Sequence, residues 1–293
     1  MKKKILVIGS IAIDTTIISK SMPVAGTTTT AESYFTNVGG KGANQACASL
    51  FLGGDVSFIG AIGKDANGEL VRSFLKEQGL NARLIETDYP TGVAFITLDS
   101  KGENQILIIQ GANTHVTKED LDEHDDLFVK DGILLTQLES DPKEVQYSLK
   151  KAHEKGMMVI FNPAPVKEFD KEYFKYIDYI VPNEHEIQQL TGKEDILEGA
   201  KYLLENGCKN VIVTLGENGS MLVNSGEICR VNAHKVKAID TTAAGDSYLG
   251  ALVTKLAVRE DIIKAMEFAS LASSFTVTKK GAIIALPHLD DLK

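Results

Sequence analysis

Cysteine is scarce in this chain. Its 293 residues hold three, Cys47, Cys208 and Cys229, odd in number, far apart and without a CxxC pair. That excludes a disulfide framework and leaves idle thiols in a reducing cytoplasm. The six histidines are scattered without metal-ligand spacing, which argues against a zinc site. No stretch approaches the ~20 apolar residues of a membrane span. The apolar start is too short for a signal peptide, and Gly9, Ser10 and Asp14 interrupt it, so it reads as a buried first strand. Positive charge is in deficit, 31 Lys and Arg against 40 Asp and Glu for a net −9. A nucleic-acid groove is therefore not the expected function. Linkers rich in Pro or Ser, internal repeats and low-complexity tracts are missing too.

What is present is an alternation. Apolar runs at 5–8, 56–62, 132–135, 157–161, 179–181 and 211–215 are bounded by Gly, Asn or Pro. Helical patterns lie between several of them, at 43–52, 70–78, 145–153, 184–190 and 196–206. Buried strands alternating with amphipathic helices predict a Rossmann-like, doubly wound, mostly parallel sheet sandwiched by helices. Segments 15–38 and 83–112 break the rhythm with hairpin-like strands. They predict a small antiparallel β-sheet lid, with 1–14, 39–82 and 113–293 forming the main α/β domain. A helix is expected at 261–277, then a loop or short strand through Gly281 to Pro287.

The segment 238–251 carries the strongest chemical signal. Asp240 and Asp246 flank a run of small residues, Thr241, Thr242, Ala243, Ala244 and Gly245, which opens into the apolar helical positions Leu249, Leu252, Val253 and Leu256. Small side chains at a helix start let N–H groups face outward toward phosphate. A carboxylate there makes sense as the base that takes a proton from a hydroxyl attacking phosphorus.

Other motifs are ambiguous singly. Gly39-Gly40-Lys41-Gly42-Ala43-Asn44-Gln45-Ala46 frees backbone for a ligand, or is a turn and cap. It lacks P-loop spacing, and Gly9-Ser10-Ile11-Ala12-Ile13-Asp14 lacks the dinucleotide fingerprint. Asp14 stands where α/β sheets bind ligands, or terminates a strand. Gln137-Leu138-Glu139, Asn162-Pro163-Ala164-Pro165 and Pro182-Asn183-Glu184-His185-Glu186 each end an apolar strand. Glu139 and Glu186 could hold a metal through water; Glu184 and Glu186 equally suit a helix first turn. Thr214-Leu215-Gly216 through Gly219 suits a nucleotide, or a hairpin turn.

Together and in this order, these motifs resemble the PfkB-type (ribokinase-like) carbohydrate kinases from Gly9 to Gly281. The resemblance implies ATP-dependent phosphorylation of a pentose 5-hydroxyl, D-ribose first. 2-Deoxyribose or a nucleoside such as pseudouridine is the alternative. It implies Asp246 as base, with Ala243, Ala244 and Gly245 as anion hole. It implies sugar contacts at Ala12, Asp14, Gly40, Lys41, Asn44 and Glu139. On the ATP side it implies Asn183, Thr214, Gly216, Gly219, Gly245 and Ser270, with Glu186 tied indirectly to Mg²⁺. It implies K⁺ near Asp240, Thr242, Thr276, Lys279, Gly281 and Ala285, and a homodimer through the lid sheets. Neither nucleic acid nor membrane is an expected partner.

Two positions depart from the family pattern. Ala12 stands where an Asn usually binds sugar hydroxyls, which relaxes the demand for one hydroxyl. Ala285 stands where a Ser is common in the K⁺ loop. A non-catalytic sugar sensor of this kind would be expected to lose Asp246 or the Gly245 turn, and both are intact.

Overall fold

The computed structural model describes residues 2–101 and 103–293. The chain opens with β1 (Lys4–Ile8) and β2 (Ala12–Ile18) and returns through β3 (Ser33–Gly39) into α1 (Lys41–Phe51). β4 (Asp55–Gly63), α2 (Ala66–Glu77) and β5 (Asn81–Thr87) follow, then β6 (Gly92–Leu98) and β7 (Asn104–Ile109). α3 (Lys118–Glu123), β8 (Ile133–Thr136), α4 (Pro142–Glu154), β9 (Met158–Phe161) and β10 (Tyr179–Ile180) come next. α5 (Glu184–Thr191) and α6 (Ile196–Glu205) precede β11 (Asn210–Thr214), β12 (Ser220–Asn224) and β13 (Ile228–Val231). α7 (Ala244–Ala257) and α8 (Ile262–Thr276) end the regular helices.

Among the described residues a nine-stranded sheet runs in the order β13-β12-β11-β10-β9-β8-β1-β4-β5. Its strands are parallel except at the β12 and β13 edge. β1 shows why the runs look continuously apolar. Ile5 and Val7 join one buried cluster, shared with α1, α7 and α8, while Leu6 and Ile8 join the other, shared with α4 and α6. Both faces of the strand are covered, so both sets of alternate side chains must be apolar.

The second sheet has the order β3-β2-β6-β7. It differs from the expected lid in three ways. It is mixed, because β2 runs parallel to β6. β2 begins at Ala12, so Ala12 and Asp14 stand on the small sheet rather than the large one. The segment 83–112 is divided: β5 pairs with β4 in the large sheet, and only β6 and β7 enter the small one. Local alternation in Arg83–Thr87 could not tell which sheet would claim it. At the far end, 281–287 forms a 3₁₀ turn at Ile283–Ala285 rather than a strand.

One close approach positions the chemistry. A Cβ on Gly250 of α7 would stand 2.4 Å from Ala48 Cβ and 2.8 Å from Ser49 N of α1. Glycine lets the two helices touch there. One turn earlier on each lie Asp246 on α7 and Asn44 and Gln45 on α1, so the same contact brings these side chains together.

Candidate active site

α1 and α7 both begin without a side-chain cap, with Gly40 and Ala243 at their N-cap positions. Ala243 adopts a left-handed conformation, φ 59°, unusual for a residue with a Cβ. This bend turns the start of α7 into a cleft of about 200 Å³ lined by Lys41, Asn183, Glu186, Thr214 and Ala243 through Asp246. The Ala244 N–H is 3.2 Å from Thr241 O. The Gly245 and Asp246 N–H groups have no acceptor among the described residues. They remain open to an anion, favoured by the positive end of the helix.

Asp246 is buried, and both its oxygens are engaged. Asn44 Nδ2 donates to Oδ2 and Gln45 Nε2 donates to Oδ1, each at 2.9 Å. Lys41 lines the same cleft, and its ammonium is held above its usual range by Asp246, with Glu139 and Glu186 adding to the effect while burial opposes it. Among the described residues it makes no ion pair, leaving its three donors for a ligand.

Asp14 and Glu139 form the acidic side. Asp14 lies over Gly39, whose imagined Cβ would be 2.1 Å from Oδ2, and accepts no hydrogen bond among the described residues. Burial, then the charges of Glu139 and Asp246, push its carboxyl up to about 7. Glu139 Oε2 accepts the Lys41 N–H at 3.0 Å and the Ser10 hydroxyl, so it closes the N-terminus of α1. Gly40, with φ 89°, makes the turn beside it.

On the opposite wall Asn183 caps α5. Its Oδ1 accepts from His185 and Glu186 N–H groups, while Glu186 Oε2 accepts the Asn183 N–H at 2.8 Å. This reciprocal cap accounts for an acid at that position, yet both residues also face the cleft. Burial raises the Glu186 carboxyl above its usual range, against its hydrogen bond from Asn183. Thr214 ends β11 and bridges Asn183.

Several expected residues sit outside the cleft lining. Gly216 and Gly219 form the tight turn from β11 to β12. The Ser270 hydroxyl donates to Asn232 O. Asp240 ties two loops, accepting the Thr242 N–H through Oδ1 and the Gly281 N–H through Oδ2, both at 2.9 Å. The Thr276 hydroxyl is spent inside the helix pair, on Ser247 and Ala272 O. Lys279 follows α8, its N–H bonded to Thr276 O, and Ala285 is buried in the 3₁₀ turn. Among the described residues no group of three or more His, Cys, Asp and Glu is arranged to hold a metal by itself.

Sequence reading included Gln45, Gln137, Thr241 and Ala164 in its motifs but gave no role to Gln45, buried against Asp246, to Gln137 behind it, or to Thr241, Ala164 and Val181 on the cleft wall. A buried Gln inside a helix of small residues was the available signal.

Comparison with known proteins finds relatives along nearly the whole chain. Residues 2–289 match the pfkB family carbohydrate kinases. A ribokinase from Haemophilus influenzae is 35% identical over 294 residues, covering 98% of this chain and 96% of that protein. A deoxyribokinase from Salmonella typhimurium is 34% identical with the same coverages. The structure of Arabidopsis thaliana ribokinase complexed with ribose and ATP superposes with a TM-score of 0.89 at 29% identity, covering 100% of this chain and 98% of that one. The chain belongs to the pfkB family of carbohydrate kinases, enzymes that phosphorylate sugars with ATP.

Proposed function

We propose that this protein transfers the γ-phosphoryl group of ATP to the 5-hydroxyl of D-ribose, giving ribose 5-phosphate and ADP. The observation that carries the reading is Asp246. A carboxylate with both oxygens held stands in the first turn of a helix whose next open N–H groups face a cleft. That is a base placed beside an anion site.

The sugar lies between the small sheet and α1, with Asp14, Lys41, Asn44, Glu139 and the Gly40 backbone against its hydroxyls. ATP lies along Asn183 and Thr214, with Gly216, Gly219 and Ser270 toward the nucleoside end. Asp246 takes the proton of the attacking hydroxyl as the new P–O bond forms and the bond to ADP breaks. The Gly245 and Asp246 N–H groups, with the turn at Ala243 and Ala244, take up charge on the phosphoryl oxygens. The small sheet acts as a lid that excludes water from the transferring group.

Glu186 suits Mg²⁺ bound through water, because one of its oxygens is already committed to Asn183. When bound with ATP the ion supplies charge neutralisation on the phosphates. The loops tied by Asp240 suit K⁺, held by backbone carbonyls near Thr242, Thr276, Lys279, Gly281 and Ala285. Equal rates with and without K⁺ or Na⁺ would remove the K⁺ site. Three free cysteines support a cytoplasmic setting. Among the described residues no helix is long and apolar enough to cross a membrane.

The test is Asp246→Asn. The rate should fall by about three decades or more while calorimetry still detects ribose binding. A near-normal rate removes Asp246 as the base.

A second reading, 2-deoxyribose as the preferred sugar, rests on Ala12. Ala12 pairs with Gly39 and Gly92, so one row of the small sheet beside Asp14 offers no side-chain donor or acceptor. Asn113 lies over Gly92; its Oδ1 accepts the Ile11 N–H and its Nδ2 gives one hydrogen to the Ile11 C=O.

A further inference from the structure

We propose that Gln45 is a positioning residue for the catalytic carboxylate of Asp246, and that Gln137 sets the direction of the Gln45 amide. This rests on Asp246 being the base. A carboxylate that must present one lone pair to a hydroxyl gains from being unable to rotate. Asn44 and Gln45, neighbours in the first turn of α1, each donate to one of its oxygens at 2.9 Å, which fixes the carboxylate plane.

The two amides differ in what else they can do. Asn44 stands beside the sugar region and has a buried, unpartnered Oδ1 available to a hydroxyl. Gln45 is completely buried and cannot meet a substrate directly. Anything it contributes passes through Asp246.

Its amide points one way. Gln45 Oε1 accepts from Gln137 Nε2 at 2.6 Å, leaving Nε2 to face Asp246. A flipped amide would set its oxygen against the carboxylate and lose the bond to Asp246. Nε2 also lies 3.4 Å from Asn162 Oδ1, and Asn162 is itself oriented by donating to Val181 O at 2.9 Å. The chain of donors thus ends on the backbone of Val181, one residue past β10. Gly9 makes room for it: a Cβ there would stand 1.9 Å from Gln137 Oε1.

The experiment compares Gln45→Met with wild type, alone and in an Asp246→Asn background, by steady-state kinetics and thermal unfolding. Gln45→Met should lower kcat on the order of 10- to 100-fold while KM for ribose stays within about threefold. With Asp246→Asn already present, it should change the residual rate by less than about twofold. An unchanged kcat in the folded variant overturns the proposal. So does an equal fold-loss in both backgrounds, which would assign Gln45 to the fold. If Gln45→Met does not fold, Gln137→Met, which leaves Gln45 present with its amide released, should lower kcat with KM retained; a wild-type kcat overturns the proposal. Asp246→Asn at the wild-type rate removes the base itself and this inference with it. Loss in Asp246→Asn with none in Gln45→Met sinks the inference alone.

Discussion

Glu139 accepts the backbone N–H of Lys41 at 3.0 Å, across 98 positions of sequence. α1 has no acid in its own first turn and no side-chain cap. The acid at its N-terminus comes instead from beyond β8, and it binds the large sheet to the helix that carries Asn44 and Gln45. Glu139→Ala leaves the Lys41 N–H and the Ser10 hydroxyl without this acceptor. The expected loss is about 1–2 kcal/mol of stability by urea unfolding. An unchanged midpoint would show that the contact contributes nothing to the fold.

Asp14 predicts a pH dependence with a definite sign. Its folded carboxyl is raised from the ordinary aspartate value of 3.8 to about 7. The folded state therefore holds a proton that the unfolded chain releases. This contribution to stability is full below the unfolded value and is lost as pH rises through about 7. Asp14→Asn cannot ionise. Without sugar, the variant should match wild type in thermal midpoint near pH 4 and exceed it at pH 8. A constant difference across that range would mean that burial and the charges of Glu139 and Asp246 do not act on Asp14 as described.

These contacts show what was legible in the sequence and what was not. Asp246 and its small neighbours are contiguous, so a carboxylate beside open N–H groups could be read from one segment. The parallel sheet was legible because β1 and its neighbours are buried on both faces. The donors that hold Asp246 were not, since Gln45, Gln137 and Asn162 come from a helix and two strand ends. Nothing local marks a Gln as the partner of an acid some 201 positions away. Gly9 carried the same difficulty: in the sequence it only interrupts an apolar start, while its missing Cβ makes room for Gln137. The parallel pairing of β2 with β6 was likewise invisible, because two insertions carry no record of which edges will meet.

Ala12 sets up a specificity prediction. Its row in the small sheet, Gly39, Ala12 and Gly92, supplies only backbone and one methyl of its own beside Asp14. Ala12→Asn would add a donor and an acceptor there. It should raise the ratio of kcat/KM for ribose over 2-deoxyribose by at least about tenfold. A strong ribose preference in wild type that Ala12→Asn leaves unchanged would sink the deoxyribose reading. A substrate panel including nucleosides separates the remaining alternative.

The small sheet also predicts an oligomer. Among the described residues β7 pairs only with β6 and forms one edge of the sheet. Ile106, Leu107, Ile108 and Ile109 on it are 52, 74, 58 and 49% exposed. Pairing puts Leu107 beside Phe95 on one face and Ile108 beside Ala94 on the face of Asp14. An uncovered apolar edge of this kind is unstable alone in water and invites a matching surface. We propose that a second copy of the chain covers it, lid sheet against lid sheet. Sedimentation should find wild type as a dimer. Ile106→Lys combined with Leu107→Lys places one charge on each face and should give a folded monomer, because burying two unpaired ammonium groups per chain outweighs the apolar gain. A wild-type protein that sediments as a monomer at micromolar concentration removes the dimer, and a dimer that survives both lysines places its interface elsewhere.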